Sequence, residues 1–333
     1  MDPQDPNSFH SRTERLSTGR TYHFIDEKPA GYTKETPTIL ALHGFPDRWY
    51  GWRNQIGPWV RRGWRVIVPD ALGYGGTDKP KDISAYSLRL ICNDFAALLD
   101  HEGLSQVVVV GHDWGAATAW RFALWHPERV RIIACLSIPF YPPAPSYVPP
   151  PLMAKRVPLL GYQLFLGEER STPIIQNKAT QFVDLMFRGG GAATQWASTG
   201  QMEKALQGEL KAEGKQDLLT QAEFDFYVSS FSSDLYGPLS WYKTAKIRYE
   251  EEKAAKLLSF LPASLPALFI RGTEDPSSPP MHAKRAKNFV PSLESYDLAG
   301  AGHWLMVERK DEITTVVGDW IEEKLKEKPS SKL

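Results

Sequence analysis

The chain has 333 residues, with 39 acidic and 39 basic side chains and a formal net charge of zero. That balance provides no field for nucleic acid or a membrane surface, and no apolar run is long enough to span a bilayer. An apolar content of 42%, with 12% aromatics, supports a sizeable core in a chain too long for a minimal domain and short for two large ones.

The amino terminus, Met1-Asp2-Pro3-Gln4-Asp5-Pro6, lacks the basic and apolar regions of a signal peptide. Residues 21–26 alternate weakly and predict an opening antiparallel strand. Residues 37–43 predict a second strand, ending at His43-Gly44-Phe45-Pro46-Asp47. A third, over 64–70, closes into Gly73-Tyr74-Gly75-Gly76. Leu88, Ile91, Phe95 and Leu98 share one helical face. Four valines, Val107 to Val110, then read as a buried parallel strand. They run into Gly111-His112-Asp113-Trp114-Gly115, beyond which small residues up to 125, with Pro127 following, predict a helix. Residues 131–137 form the next strand. Cys92 and Cys135 fall in a helical and a strand pattern, and read as reduced core residues.

Residues 139–151 hold seven prolines among aromatics, which predicts neither a helix nor a central strand. From 157 to about 256 there are helical patches and no convincing strand. The α/β pattern resumes at 266–271 and 292–298, and a last amphipathic helix carries Ile313, Val316, Val317, Trp320 and Ile321. Strands alternating with helices describe an α/β fold, a mostly parallel sheet with helices on both faces. Its expected divisions are 1–139 for the first part of the core, 140–258 for an inserted helical cap, and 259–333 for the rest with a polar tail.

Gly111-x-Asp113-x-Gly115 has the shape of a nucleophile elbow, with aspartate in place of serine. The plainer reading is a strand-to-helix turn with a capping aspartate. An elbow nucleophile needs an acid and then a histidine further along the chain. Arg271-Gly272-Thr273-Glu274-Asp275-Pro276 follows one strand, and Ala299-Gly300-Ala301-Gly302-His303-Trp304 follows the next. A carboxylate can attack a saturated carbon directly, leaving an alkyl ester on the enzyme. Water must then hydrolyse that ester, with His303 as general base and Asp275 orienting it. The backbone N–H groups of Phe45 and Trp114 are the candidate oxyanion hole. His43 reads as a buried histidine in a strand-ending turn and is assigned no catalytic role; nor is His112, because adjacent side chains on a tight elbow diverge. This chemistry requires no cofactor and no metal.

His43-Gly44-Phe45-Pro46, Gly111-His112-Asp113-Trp114-Gly115 and Gly302-His303-Trp304 resemble the motifs of the soluble epoxide hydrolases of the α/β-hydrolase fold. The resemblance runs from about residue 20 to about 325, and leaves out the amino-terminal phosphatase domain of the mammalian members. It implies conversion of epoxides and water to vicinal diols through a covalent aspartyl ester. It also implies two cap tyrosines that donate to the epoxide oxygen. The matching segments, Gly161-Tyr162-Gln163 and Ser240-Trp241-Tyr242, make Tyr162 and Tyr242 the candidates. Phe165 stands where some animal members have a further tyrosine.

The nearest rival is haloalkane dehalogenase, where the Trp after the nucleophile and an Asn in the first turn hold the halide; here Phe45 cannot donate from its side chain. Fluoroacetate dehalogenases put Arg where Trp114 stands. A hydrolase-like receptor without turnover is the non-catalytic alternative. Phe45, Trp114, Trp241 and Trp304 predict an apolar pocket for lipid-like or aromatic epoxides. The final Ser331-Lys332-Leu333 matches a peroxisomal address, with the import receptor as the expected partner and the cytosol as a second location.

Overall fold

In the computed structural model, which describes residues 1–189, 191–210 and 218–327, the chain builds one eight-stranded sheet. The strands are β1 (Ser11–Arg15), β2 (Thr21–Glu27), β3 (Thr38–Leu42), β4 (Arg65–Pro69), β5 (Val107–His112), β6 (Val130–Leu136), β7 (Ala267–Gly272) and β8 (Leu293–Leu298). Their spatial order is β1-β2-β4-β3-β5-β6-β7-β8. β1 and β2 pair antiparallel, as do β2 and β4, and every other pairing is parallel. The tripeptide Ser331-Lys332-Leu333 lies outside the described residues.

All six residues of β5 are buried. Successive side chains point to opposite faces, so the strand is covered on both, and this is why it reads as an unbroken valine run. Each such valine contributes about 1.5–3 kcal/mol of burial. β1 is the opposite case. Its sequence Ser-Arg-Thr-Glu-Arg alternates between exposed and half-buried at the sheet edge. A polar edge strand carries no apolar signal, so the sheet begins ten residues earlier than the sequence pattern suggests.

The helices α1 (Arg53–Arg61), α2 (Leu88–His101) and α3 (Trp114–Trp125) connect the strands. α2 buries Leu88, Ile91, Phe95 and Leu98 together, as their spacing requires, and packs on α3. α1 packs against the last helix, Lys310–Lys326. The chain leaves β3 for β4 on one side, then returns through α2 to β5 on the other. The strand order therefore reverses between β3 and β5, and the crevice at their carboxyl ends is where such sheets hold ligands. The loop after β3 and the turn after β5 carry Phe45 and Asp113.

Between β6 and β7 the described residues contain helices and no strand, from Pro150–Arg156 to Ala245–Ala254. The proline run enters the first of these helices, contrary to the sequence expectation. Pro150 and Pro151 occupy its opening turn, where a missing N–H would be unpaired in any case. The insert is pinned to the sheet by buried polar contacts. Tyr227 Oη donates to Asp47 Oδ1 at 2.8 Å, Arg53 Nε meets Glu223 Oε1 at 2.7 Å with both side chains buried, and Trp241 Nε1 donates to the Leu72 carbonyl at 3.0 Å. Among the described residues no helix is long and apolar enough to cross a membrane.

Gly115 fixes how closely α3 lies on β3. A Cβ there would stand 2.1 Å from the Leu42 carbonyl oxygen, and both elements are rigid backbone. Gly115→Ala is expected to destabilise the fold by about 3 kcal/mol through overpacking, read as a lowered denaturant midpoint. A midpoint equal to the parent's would mean that α3 is free to move off β3.

Candidate active site

The turn from β5 into α3 is strained at its centre. Asp113 has φ 53° and ψ −119°, and its side chain makes no capping bond to α3. A left-handed φ on a non-glycine residue is uncommon and collects at functional sites, so the capping reading does not describe this turn. Room for it comes from glycine: a Cβ on Gly111 would stand 2.4 Å from the Gly115 carbonyl oxygen, and one on Gly44 would stand 2.5 Å from Asp113 Oδ1. The strain turns the carboxylate toward the loop after β3. There Oδ1 accepts the Phe45 N–H at 2.9 Å, and the Trp114 N–H also bonds the carboxylate. Burial pushes the Asp113 carboxyl above the usual range, against the pull of His303 and these two amides.

β7 and β8 deliver the other two polar groups. His303 Nδ1 lies 3.0 Å from Asp275 Oδ2, and His303 Nε2 lies 3.7 Å from Asp113 Oδ2. Asp275 Oδ1 accepts from the Ser277 N–H at 2.9 Å and from Ser277 Oγ at 2.7 Å. Burial raises the Asp275 carboxyl, but His303 and Ser277 outweigh it and the net shift is downward. For His303 burial acts downward, and the charges of Asp275, Asp113 and Glu308 more than reverse it, carrying the imidazole up to about 9. Asp275 and Asp113 thus favour the imidazolium form of His303 in the free site.

Tyr162 and Tyr242 come from the insert, with ring centroids 6.2 Å apart and edge to face. Burial raises both phenols above their usual range, and the Asp113 charge adds to it in each case. Both therefore stay protonated and able to donate at neutral pH. The Tyr242 ring packs edge-on to Phe45 at 5.1 Å and to Trp114 at 5.4 Å, and Trp241 lies 5.8 Å from Trp114. Trp304 is placed differently. It is fully buried, stacks on Phe187 at 4.3 Å, donates to the Met186 carbonyl at 2.7 Å and stands 5.4 Å from the His303 ring. It backs the imidazole and joins the insert to the core. Phe165 is buried, with the Arg170 guanidinium 5.5 Å from its ring.

Several residues matter here that their sequence positions do not disclose. Ser277 orients Asp275. The Glu308 carboxylate accepts the N–H groups of Gly302 and Trp304, on either side of His303, at 2.9 and 3.0 Å. His112 and Ser137 both reach the His303 carbonyl. His43 is committed elsewhere: Nε2 accepts the Ala71 N–H at 2.9 Å, so Nδ1 carries the proton and donates to the Gly44 carbonyl at 2.9 Å. Burial lowers it to about 4, and it serves as a neutral tie within its loop. Among the described residues no cluster of His, Cys, Asp and Glu could hold a metal ion. Cys92 and Cys135 are both buried and free.

A carboxylate on a strained elbow, at the reversal of strand order and faced by a histidine, is the arrangement of one fold family. The family model for the alpha/beta hydrolase fold matches residues 37–310, and the chain belongs to the α/β-hydrolase fold family, among its epoxide hydrolases. Bifunctional epoxide hydrolase 2 of Sus scrofa is 30% identical over 327 residues, covering 96% of this chain and 56% of that protein. The chain thus spans about half the length of its mammalian relatives. Epoxide hydrolase srdG of Neurospora crassa is 32% identical over 337 residues, covering 97% of this chain and 98% of that protein. The crystal structure of Epoxide Hydrolase A from Mycobacterium thermoresistibile superposes with a TM-score of 0.81 at 30% identity, covering 94% of this chain and 98% of that one. The structure of epoxide hydrolase I from potato (Solanum tuberosum) has a TM-score of 0.82 at 26% identity, covering 95% and 99%.

Proposed function

We propose that the chain hydrolyses epoxides to vicinal diols by way of an ester on Asp113. Asp113 Oδ2 attacks a ring carbon from behind, the ring C–O bond breaks, and its electron pair goes to the epoxide oxygen. That oxygen takes its proton from Tyr162 or Tyr242. Water then adds to the ester carbonyl carbon while His303 Nε2 accepts its proton, and Asp275 holds the imidazolium formed. The tetrahedral oxyanion sits on the N–H groups of Phe45 and Trp114, which already bond the Asp113 carboxyl. Collapse expels the diol oxygen, which takes the proton from His303. Asp113 is released as the carboxylic acid and gives up its proton, and the tyrosine regains one, which restores the starting site with no net proton taken from solvent.

The observation that carries this reading is the tyrosine pair facing a carboxylate nucleophile. Both phenols feel the Asp113 charge, which supports reading them as the acids that a ring-opened oxygen needs. Halide release needs no acid. The insert over 140–258 acts in this reading as a cap that supplies those acids. The aromatic walls of Phe45, Trp114 and Trp241 suit lipid-like or aromatic epoxides, and a clear preference for small polar epoxides would count against that choice. Import through Ser331-Lys332-Leu333 into the peroxisome belongs to the same proposal.

The intact mass of His303→Gln after exposure to epoxides, and separately to haloalkanes, tests the reaction class. Removing the base leaves ester formation in place and removes about 10²–10⁴-fold from its hydrolysis, so the adduct is expected to persist. An adduct of the whole epoxide on Asp113 supports the proposal. An adduct from haloalkanes alone, lighter by the lost acid, assigns a dehalogenase. No adduct on folded protein overturns both.

A further inference from the structure

The His303 carbonyl oxygen is held by two side chains from the ends of neighbouring strands. His112 Nε2 lies 2.8 Å from it and Ser137 Oγ 3.0 Å. A carbonyl only accepts, so both groups donate, and His112 is the tautomer protonated on Nε2. His112 is fully buried, and burial with the neighbouring His303 lowers it to about 3, so it is neutral. Its Nδ1 is then an acceptor, buried with no hydrogen-bond donor from the described residues. Ser137, also fully buried, has φ 68°.

These two features each carry a local penalty. A buried ring nitrogen without a donor loses its hydration and gains nothing for it. A left-handed serine stores backbone strain, which persists only where the surroundings impose it. The described residues contain three non-glycine positions at positive φ, Asp113, Ser137 and Lys256, and two of them flank this site. Both penalties fall on the groups that bond one carbonyl, and that carbonyl belongs to the imidazole next to Asp113. His112 precedes Asp113 directly. One hydrogen bond therefore links the backbone carrying the nucleophile to the backbone carrying the base.

We propose that His112 and Ser137 are positioning residues for the second half of the reaction: they hold the His303 backbone so that Nε2 faces the ester carbon of Asp113. The inference rests on the covalent reading above and goes beyond it by separating the two half-reactions. Alkylation uses Asp113 and the tyrosines and makes no demand on His303. Hydrolysis needs Nε2 within hydrogen-bond reach of a water that attacks one particular carbon. Asp275 and Ser277 meet the ring at Nδ1, and neither contact by itself sets where the backbone that carries the ring stands. The Glu308 carboxylate fixes the amides on either side, and the carbonyl of His303 itself is fixed by His112 and Ser137. A displacement of about 1 Å in a reacting group is enough to cost about 100-fold.

The test measures both half-reactions in single turnovers by rapid quenching and intact mass. His112→Leu and Ser137→Ala are each expected to alkylate within about threefold of the parent and to hydrolyse about 10–100-fold more slowly, so that the ester accumulates at steady state. His112→Gln keeps an amide donor and is expected to recover most of the loss. Ser137→Gly relieves the strain and removes the hydroxyl; a hydrolytic defect equal to that of Ser137→Ala assigns the effect to the hydrogen bond. Equal slowing of both half-reactions, or hydrolysis at the parent rate in folded variants, overturns the proposal. Were His112→Leu to fail to fold, the two serine variants carry the test alone. An adduct in His303→Gln together with unaltered hydrolysis in these variants would overturn only this inference. No adduct in His303→Gln would overturn the covalent reading beneath it.

Discussion

Replacing both Tyr162 and Tyr242 with phenylalanine is expected to slow alkylation of Asp113 by about 10⁴-fold or more. Opening an epoxide on a carboxylate creates an alkoxide in a buried site, and only a proton or strong hydrogen bonds make that charge tolerable there. Loss of one preorganised donor to such a charge costs about 10²–10³ in rate. Each single variant keeps one phenol and is expected near that figure, while the double variant loses both. The rings themselves remain: phenylalanine preserves the edge-to-face contacts of position 242 with Phe45 and Trp114. Burial keeps both hydroxyls protonated, so their removal deletes donors and leaves the net charge of the site unchanged. Rapid-quench measurement of ester formation, with a thermal melt confirming the fold, gives the number. A double variant within tenfold of the parent would show that the oxygen is protonated from elsewhere.

How far sequence predicts such a site depends on whether the signal is local. The elbow was legible because its demands fall on neighbours. A strand covered on both faces needs Val107 to Val110 in succession, and a turn this tight needs Gly111 and Gly115 where a Cβ would meet backbone. Asp275 and His303 were legible because each follows a strand in the order the elbow requires. β1 was silent because an edge strand of Ser-Arg-Thr-Glu-Arg has only one half-buried face to pattern.

The premise that adjacent side chains on an elbow diverge is sound for His112. Its ring does leave the cleft, but it reaches the carbonyl of a residue 191 positions away, and no local pattern encodes that. Ser137 has the same difficulty, since a serine ending a strand gives no hint of a positive φ or of the loop it meets. Composition alone makes the four aromatic residues walls of one pocket. Trp304 turned out to be fully buried with its N–H on the Met186 carbonyl, a joint whose partner only the folded insert brings near.

The ester is expected to accumulate at low pH and to drain as the pH rises. In the free site His303 is held up at about 9 chiefly by Asp275, then by Asp113 and Glu308, against the opposing effect of burial. It is therefore protonated at neutrality, the wrong form for a base. Alkylation corrects this without any movement, because an ester on Asp113 carries no charge. One of the carboxylates that stabilise the imidazolium disappears, burial remains, and the pKa of His303 falls below about 9. The first half-reaction thereby generates the base for the second, and the proton leaves only after the nucleophile has been consumed. Below the new pKa the imidazole keeps its proton and hydrolysis stalls; above it the neutral ring accepts a proton from water. Ester formation needs only ionised Asp113 and protonated tyrosines, so it is expected to be level across the neutral range. It should fall at the acid end, where a carboxyl raised by burial takes up its proton. Quenching the parent enzyme at steady state under saturating epoxide, and weighing the protein across the pH range, reads both effects together. Mostly alkylated enzyme at low pH and mostly free enzyme at high pH, with a midpoint below about 9, is the expected curve. Occupancy that rises with pH would mean that His303 acts in ring opening and not in the release of the diol.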